Sequence, residues 1–175
     1  ANHKCAFIII YHAVNWAWYT ASIKTIMKIT LLTHERELTK TTNTGAIALN
    51  HAGEIVERVV WGRVNPNEEL VNLLASNSAV LLYPNDENAS VQIEDFEHIV
   101  IIDSTWQEAQ KIYNQSPYLK TAPKAVLSPA KSSAFQLRRN QREGGLCTIE
   151  CIIEVLRIKH QHELADKLAA EFNLF

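Results

Sequence analysis

Cysteine is scarce in this sequence. The 175 residues hold three, Cys5, Cys147 and Cys151, with no Cys-x-x-Cys pair. An odd, unpaired set argues against a disulfide framework and against a zinc ribbon, and it fits a reducing cytoplasm. Glycine and proline are also sparse, at five each, and no low-complexity tract or internal repeat occurs; disordered and solenoid architectures are thereby disfavoured. Long apolar runs are missing too. The stretch 6–27 is interrupted by His12, Asn15 and Lys24, whereas a bilayer span needs about 20 nearly continuous apolar residues, so no membrane helix is expected. Lys4 followed by "AFIII" imitates a signal peptide without its cleavage site. There is no Ser-x-Gly nucleophile elbow, Walker loop or Gly-x-Gly-x-x-Gly, which leaves hydrolase, P-loop and dinucleotide chemistry without a motif. His160 and His162 stand apart from other ligand-type residues, and no metal is expected.

What is present is an ordinary globular composition, 47% hydrophobic and 21% charged, sized for one domain with a full core. Residues 1–27 resist assignment, and 28–175 read as a single domain. The net charge of −2 conceals a segregation. Between Gln107 and Arg142 lie Lys111, Lys120, Lys124, Lys131, Arg138, Arg139 and Arg142 against Glu108 alone. Such a cluster is either a solvated face or a phosphate-facing edge.

Apolar β-branched runs predict strands at 27–33, 79–84, 98–103 and 124–128, with 54–62 favouring strand over helix. Helical patterns occupy 43–52, 66–76, about 105–115, and two stretches from Thr148 onward that break near His160. The alternation predicts an α/β, three-layer sandwich with a mainly parallel sheet, and ligands of such sheets sit at the carboxyl ends of the strands. Asp103, Tyr83 and Pro84 mark two of those ends. Thr105 with Glu108, or Ser104 with Gln107, can form a capping box. Trp106 is either core or a flat wall beside a pocket. His34 and Glu37 follow the first strand and either face the strand-end crevice or, by default, form a surface pair. In "GGLCTIE", 144–150, two glycines allow close backbone approach and Thr148 can cap the next helix.

Asp103, Ser104, Thr105 and Trp106 match the Asp-x-Thr-Trp signature of the DTW-domain family, which this chain resembles over about residues 28–157. "HERE" at 34–37 is similar to the family's His-Pro-x-Glu, "TNTG" at 42–45 to its Thr-Asn-Thr-Gly, and "LLYP" at 81–84 to its strand-end Tyr-Pro. Leu137 with Arg138 resembles its Leu-Arg pair, and Thr148 with Glu150 its Thr-x-Glu. The order of all six is kept. Glu35 departs from the proline, Cys151 stands where Ala is usual, and residues 1–27 offer only Cys5 where many members carry a cysteine cluster.

The resemblance implies a SPOUT-like catalytic domain with a C-terminal trefoil knot. It also implies S-adenosylmethionine-dependent transfer of an aminocarboxypropyl group to N3 of a tRNA uridine, by a monomer in preference to a homodimer. On that reading Asp103, Thr105 and Trp106 are catalytic. Leu82, Tyr83, Pro84, Leu127, Ser128, Gly145, Leu146 and Thr148 hold the cofactor, and Arg138, Arg139 and Arg142 meet RNA phosphates. Trp106 could flank the sulfonium by a cation–π contact worth about 0.5–2 kcal/mol. Asp103 is the candidate proton acceptor for N3, or else an orienting group, since a free Asp titrates near ~3.9. A knotted RNA methyltransferase and a non-catalytic RNA-binding domain are the rival readings.

Overall fold

The computed structural model describes residues 27–84, 91–127 and 146–175. Its five strands are β1 (Lys28–Thr33), β2 (Val56–Val60), β3 (Ala79–Leu82), β4 (His98–Asp103) and β5 (Lys124–Ala125). They form one sheet in the order β2-β1-β4-β3-β5, and every pairing is parallel. The longest strands lie at its centre, β1 against β4 from Lys28 beside His98 to Thr33 beside Asp103. Both faces are covered, as continuous apolar strands require.

The helices are α1 (Gly45–His51), α2 (Glu68–Ala75), α3 (Trp106–Gln115), α4 (Pro117–Thr121), α5 (Thr148–Ile158) and α6 (His162–Leu174). Because side chains alternate along a strand, the sheet feeds two cores. Ile29, Leu31, Val80, Ile99 and Ile101 pack with α1, α5 and α6 through Ile47, Ile149, Ile152, Leu156 and Leu168. Leu32, Leu81, Val100 and Ile102 pack with α2, α3 and α4 through Leu70, Leu74, Ile112 and Leu119. Each fully buried Leu or Ile contributes about 1.5–3 kcal/mol relative to exposure.

Helix starts follow capping chemistry. Asn67 opens α2 by accepting from the Leu70 amide at 2.8 Å, with Pro66 one residue ahead of that cap. Thr105 opens α3 by accepting from the Glu108 amide at 3.4 Å. Cys147, rather than Thr148, is the cap of α5, and Glu150 reaches back to accept from its amide at 2.8 Å. The expected break falls at His160, whose φ of 58° is left-handed. The strand expected at 124–128 shrinks to two residues, beside a β3 that itself stops at Leu82 and not at Pro84. No helix among the described residues is long and apolar enough to cross a membrane.

On the α2 face, the Thr30 hydroxyl donates to Glu57 Oε1 at 2.9 Å and lies 2.7 Å from His98 Nε2. With that proton committed to Glu57, Nε2 is the donor to Thr30. Burial lowers the His98 pKa from 6.5, outweighing the opposing field of Glu57. The unfolded chain therefore binds the proton first as pH falls, and the folded state loses stability below 6.5. Denaturation midpoints measured from about pH 7.5 to about pH 5 are expected to fall less in His98→Gln, which keeps a donor but does not titrate.

Candidate active site

The carboxyl ends of β1 and β4 converge on one carboxylate. Asp103 is 1% exposed. Its Oδ2 accepts from Thr33 Oγ1 at 3.2 Å and Asn43 Nδ2 at 3.0 Å, and Arg58 Nη2 stands 3.8 Å away. Its Oδ1 accepts from Thr148 Oγ1 at 2.8 Å. All four neighbours are donors, which suits an acceptor-only carboxylate. The partners come from β1, the segment ahead of α1, β2 and the first residue of α5, so Asp103 ties together parts of the chain from 70 residues before it to 45 after it.

The 42–45 segment is fitted to the same point. Asn43 uses its amide nitrogen on Asp103 and its Oδ1 on the Ala46 amide at 3.0 Å, closing the start of α1. The Thr44 hydroxyl accepts from the Ile149 amide at 3.5 Å, satisfying one open donor in the first turn of α5. Gly45 follows because a Cβ there would stand 2.9 Å from Asp103 Oδ2 and 3.0 Å from Oδ1 and Cγ. Beside them Cys147 is fully buried, and burial pushes its thiol up to about 12, so it stays protonated and is no nucleophile.

The sheet divides the residues singled out from sequence. Asp103 and Thr148 belong to the α1 and α5 side, and Leu82 and Leu127 pack half-buried on that core. Tyr83 and Trp106 lie on the α3 side, their rings stacked at 5.8 Å and 23°. Tyr83 stacks in turn on Tyr113 at 4.1 Å and 11°, and Lys124 Nζ sits 5.8 Å from the Tyr113 ring centre. Trp106 is thus half-buried in an aromatic stack at the strand ends. Thr105 and Pro84 are exposed, and Leu146 is half-buried just before the cap of α5. Ser128, Gly145, Arg138, Arg139 and Arg142 lie outside the described residues, as does the 1–27 segment save Met27.

His34 and Glu37 are not the surface pair that the sequence suggested. Both are buried; His34 packs against Trp61 at 5.6 Å between ring centres, and Glu37 binds Lys40. A short 3-10 turn at Glu35–Glu37 turns both inward, its start fixed by the Arg36 amide donating to His34 Nδ1. Sequence reasoning also passed over Thr33 and Arg58. The signal for Arg58 was a charge inside the β-branched "VERVV". An open pocket of about 430 Å³, lined by Asn77, Val91, Phe96 and Lys124 among others, lies at the amino ends of β3 and β5, away from Asp103.

The family model of the DTW domain matches residues 5–175. The chain belongs to the DTW-domain family. Among curated proteins, tRNA-uridine aminocarboxypropyltransferase 2 of Drosophila melanogaster is 31% identical over 142 residues, covering 75% of this chain and 55% of the relative. The chain therefore spans little more than half of that relative's length. No solved structure matches. In this DTW domain the signature aspartate and three further family motifs touch or adjoin one another around Asp103, Tyr83 and Trp106.

Proposed function

We propose that this DTW domain, residues 28–175, transfers the 3-amino-3-carboxypropyl group of S-adenosylmethionine to N3 of a uridine in tRNA, releasing 5'-methylthioadenosine. The observation that carries this reading is the meeting of Thr-Asn-Thr-Gly, Asp-Ser-Thr-Trp and Thr-x-Glu residues on the Asp103 carboxylate at the strand ends. The relative named above, a tRNA-uridine aminocarboxypropyltransferase, supports it. The fold is proposed to continue the SPOUT-like pattern, with a C-terminal knot, in a cytoplasmic monomer.

The residues present suit a sulfonium donor. The half-buried Trp106 ring, stacked on Tyr83, supplies a flat, electron-rich face for a cation. Leu82, Pro84, Leu127, Ser128, Gly145, Leu146 and Thr148 would surround the adenosine. When bound, the donor supplies a carbon whose bond to sulfur breaks as uridine N3 attacks, the electron pair remaining on sulfur. Thr105 would hold the first turn of α3, and with it Trp106, in place. Asp103 acts here by positioning, because its oxygens already accept from Thr33, Asn43 and Thr148; the N3 proton leaves to solvent or to an RNA-side group. Arg138, Arg139 and Arg142 would contact phosphates, so tRNA binding weakens as salt rises.

The test is incubation of the purified chain with unmodified tRNA and S-adenosylmethionine, followed by nucleoside mass spectrometry. An aminocarboxypropyl-uridine is expected. A methylated nucleoside in its place would assign methyl transfer, and no modified nucleoside together with no calorimetric binding of S-adenosylmethionine would overturn the enzyme reading.

A further inference from the structure

We propose that Arg58 is an oxyanion-binding residue of this site, presenting its guanidinium edge to a carboxylate or phosphate oxygen of the substrates. Arg58 occupies the middle of β2, beside Leu31 of β1, on the face covered by α1 and α5. Its side chain is 22% exposed. Nη2 donates to Asn43 Oδ1 at 3.3 Å and stands 3.8 Å from Asp103 Oδ2. Nε is buried without a hydrogen-bond partner among the described residues.

That arrangement is incomplete as a structural ion pair. A guanidinium held for stability uses its planar fork, placing Nε and one Nη on the two oxygens of one carboxylate at about 2.7–2.9 Å. Here the approach to Asp103 is 3.8 Å and one-sided, and the buried donor goes unmatched. Buried donors are almost always paired, so an orphan calls for an explanation, a functional role among them. Carboxylates and phosphates are the groups that match a guanidinium with donors to spare.

The sheet order narrows the source. Arg58 lies across β1 and β4 from Leu82 and Leu127, on the far side of Asp103. An anion reaching it would belong to the part of the reactants that extends past Asp103. Two groups have that chemistry, the α-carboxylate of the transferred arm and a phosphate of the RNA. The first depends on the proposed reaction; the second requires only RNA binding.

Calorimetry on wild type, Arg58→Gln and Arg58→Lys separates the sources, with S-adenosylmethionine, 5'-methylthioadenosine, which lacks the arm, and tRNA at two salt concentrations. Binding of the arm's carboxylate predicts a loss of about tenfold or more for S-adenosylmethionine in Arg58→Gln with 5'-methylthioadenosine unchanged, and only partial recovery in Arg58→Lys. Binding of phosphate predicts unchanged S-adenosylmethionine affinity, weaker tRNA binding and a salt slope reduced by about one. Unfolding scans verify folding, and if Arg58→Gln does not fold, Arg58→Lys, which keeps the charge but not the fork, carries the comparison. Equal losses for both small molecules, or no loss in any arm, overturn the proposal. A wild-type chain that ignores S-adenosylmethionine sinks the proposed reaction, and the tRNA arm then decides Arg58 alone.

Discussion

Asp103→Asn is expected to destabilise the domain by about 1–3 kcal/mol, the scale for weakening buried hydrogen bonds to a charged acceptor. The substitution barely changes volume, so packing loss does not enter. What changes is polarity. Thr33 and Asn43 donate to one oxygen and Thr148 to the other, so the new amide keeps its partners only with its oxygen toward Asn43 and the Thr148 hydroxyl turned round to accept, and every bond to a charged acceptor becomes a neutral one. The Arg58 guanidinium, 3.8 Å away and mostly buried, also loses its counter-charge. Urea denaturation should show a lower midpoint with an unchanged slope, the mark of altered stability without an altered unfolded state. A carboxylate serving only as a proton acceptor would behave differently: the asparagine variant would keep the wild-type midpoint and lose only turnover. An unchanged midpoint would therefore refute the positioning role assigned to Asp103.

Gly45→Ala is expected to destabilise by about 1–3 kcal/mol, the cost of overpacking a filled site. The sign is informative because helix propensity alone favours Ala over Gly by up to ~1 kcal/mol within a helix. A methyl at Gly45 would stand within 2.9–3.0 Å of three atoms of the Asp103 carboxyl group. A free side chain would swing aside, but this one is held by Thr33, Asn43 and Thr148. Asp103→Ala opens the space, so the added methyl should cost less in that background than in wild type. A double-mutant cycle read by thermal or urea unfolding measures the difference; additivity within about 0.3–0.5 kcal/mol would deny the contact.

Much of the frame was legible in the sequence because short-range physics dictates it. The runs at 27–33, 79–84 and 98–103 have the β-branched, uninterrupted character of strands covered on both faces, and they supply β1, β3 and β4, the three inner strands of the sheet, with β3 ending two residues early. Thr105 behaves as the cap its position suggests. The errors fall where a distant partner outbids a local one. Thr148 stands where a capping threonine belongs, but its hydroxyl goes to a carboxylate 45 residues earlier, leaving Cys147 and Glu150 to begin the helix. His34 looks solvent-bound until Trp61, 27 positions later, is brought beside it. Arg58 could be noticed as an odd charge in a strand, but its neighbours Asn43 and Asp103 are set by strand order, which no local pattern encodes.

The grip on Asp103 also has a timetable. Two of its donors, on Thr33 and Asn43, and the nearby Arg58 precede it along the chain; the third donor, on Thr148, is made only later. A nascent chain shorter than that lacks both this last bond and the α5 side chains that cover the sheet, so the domain is expected to mature late, as one unit.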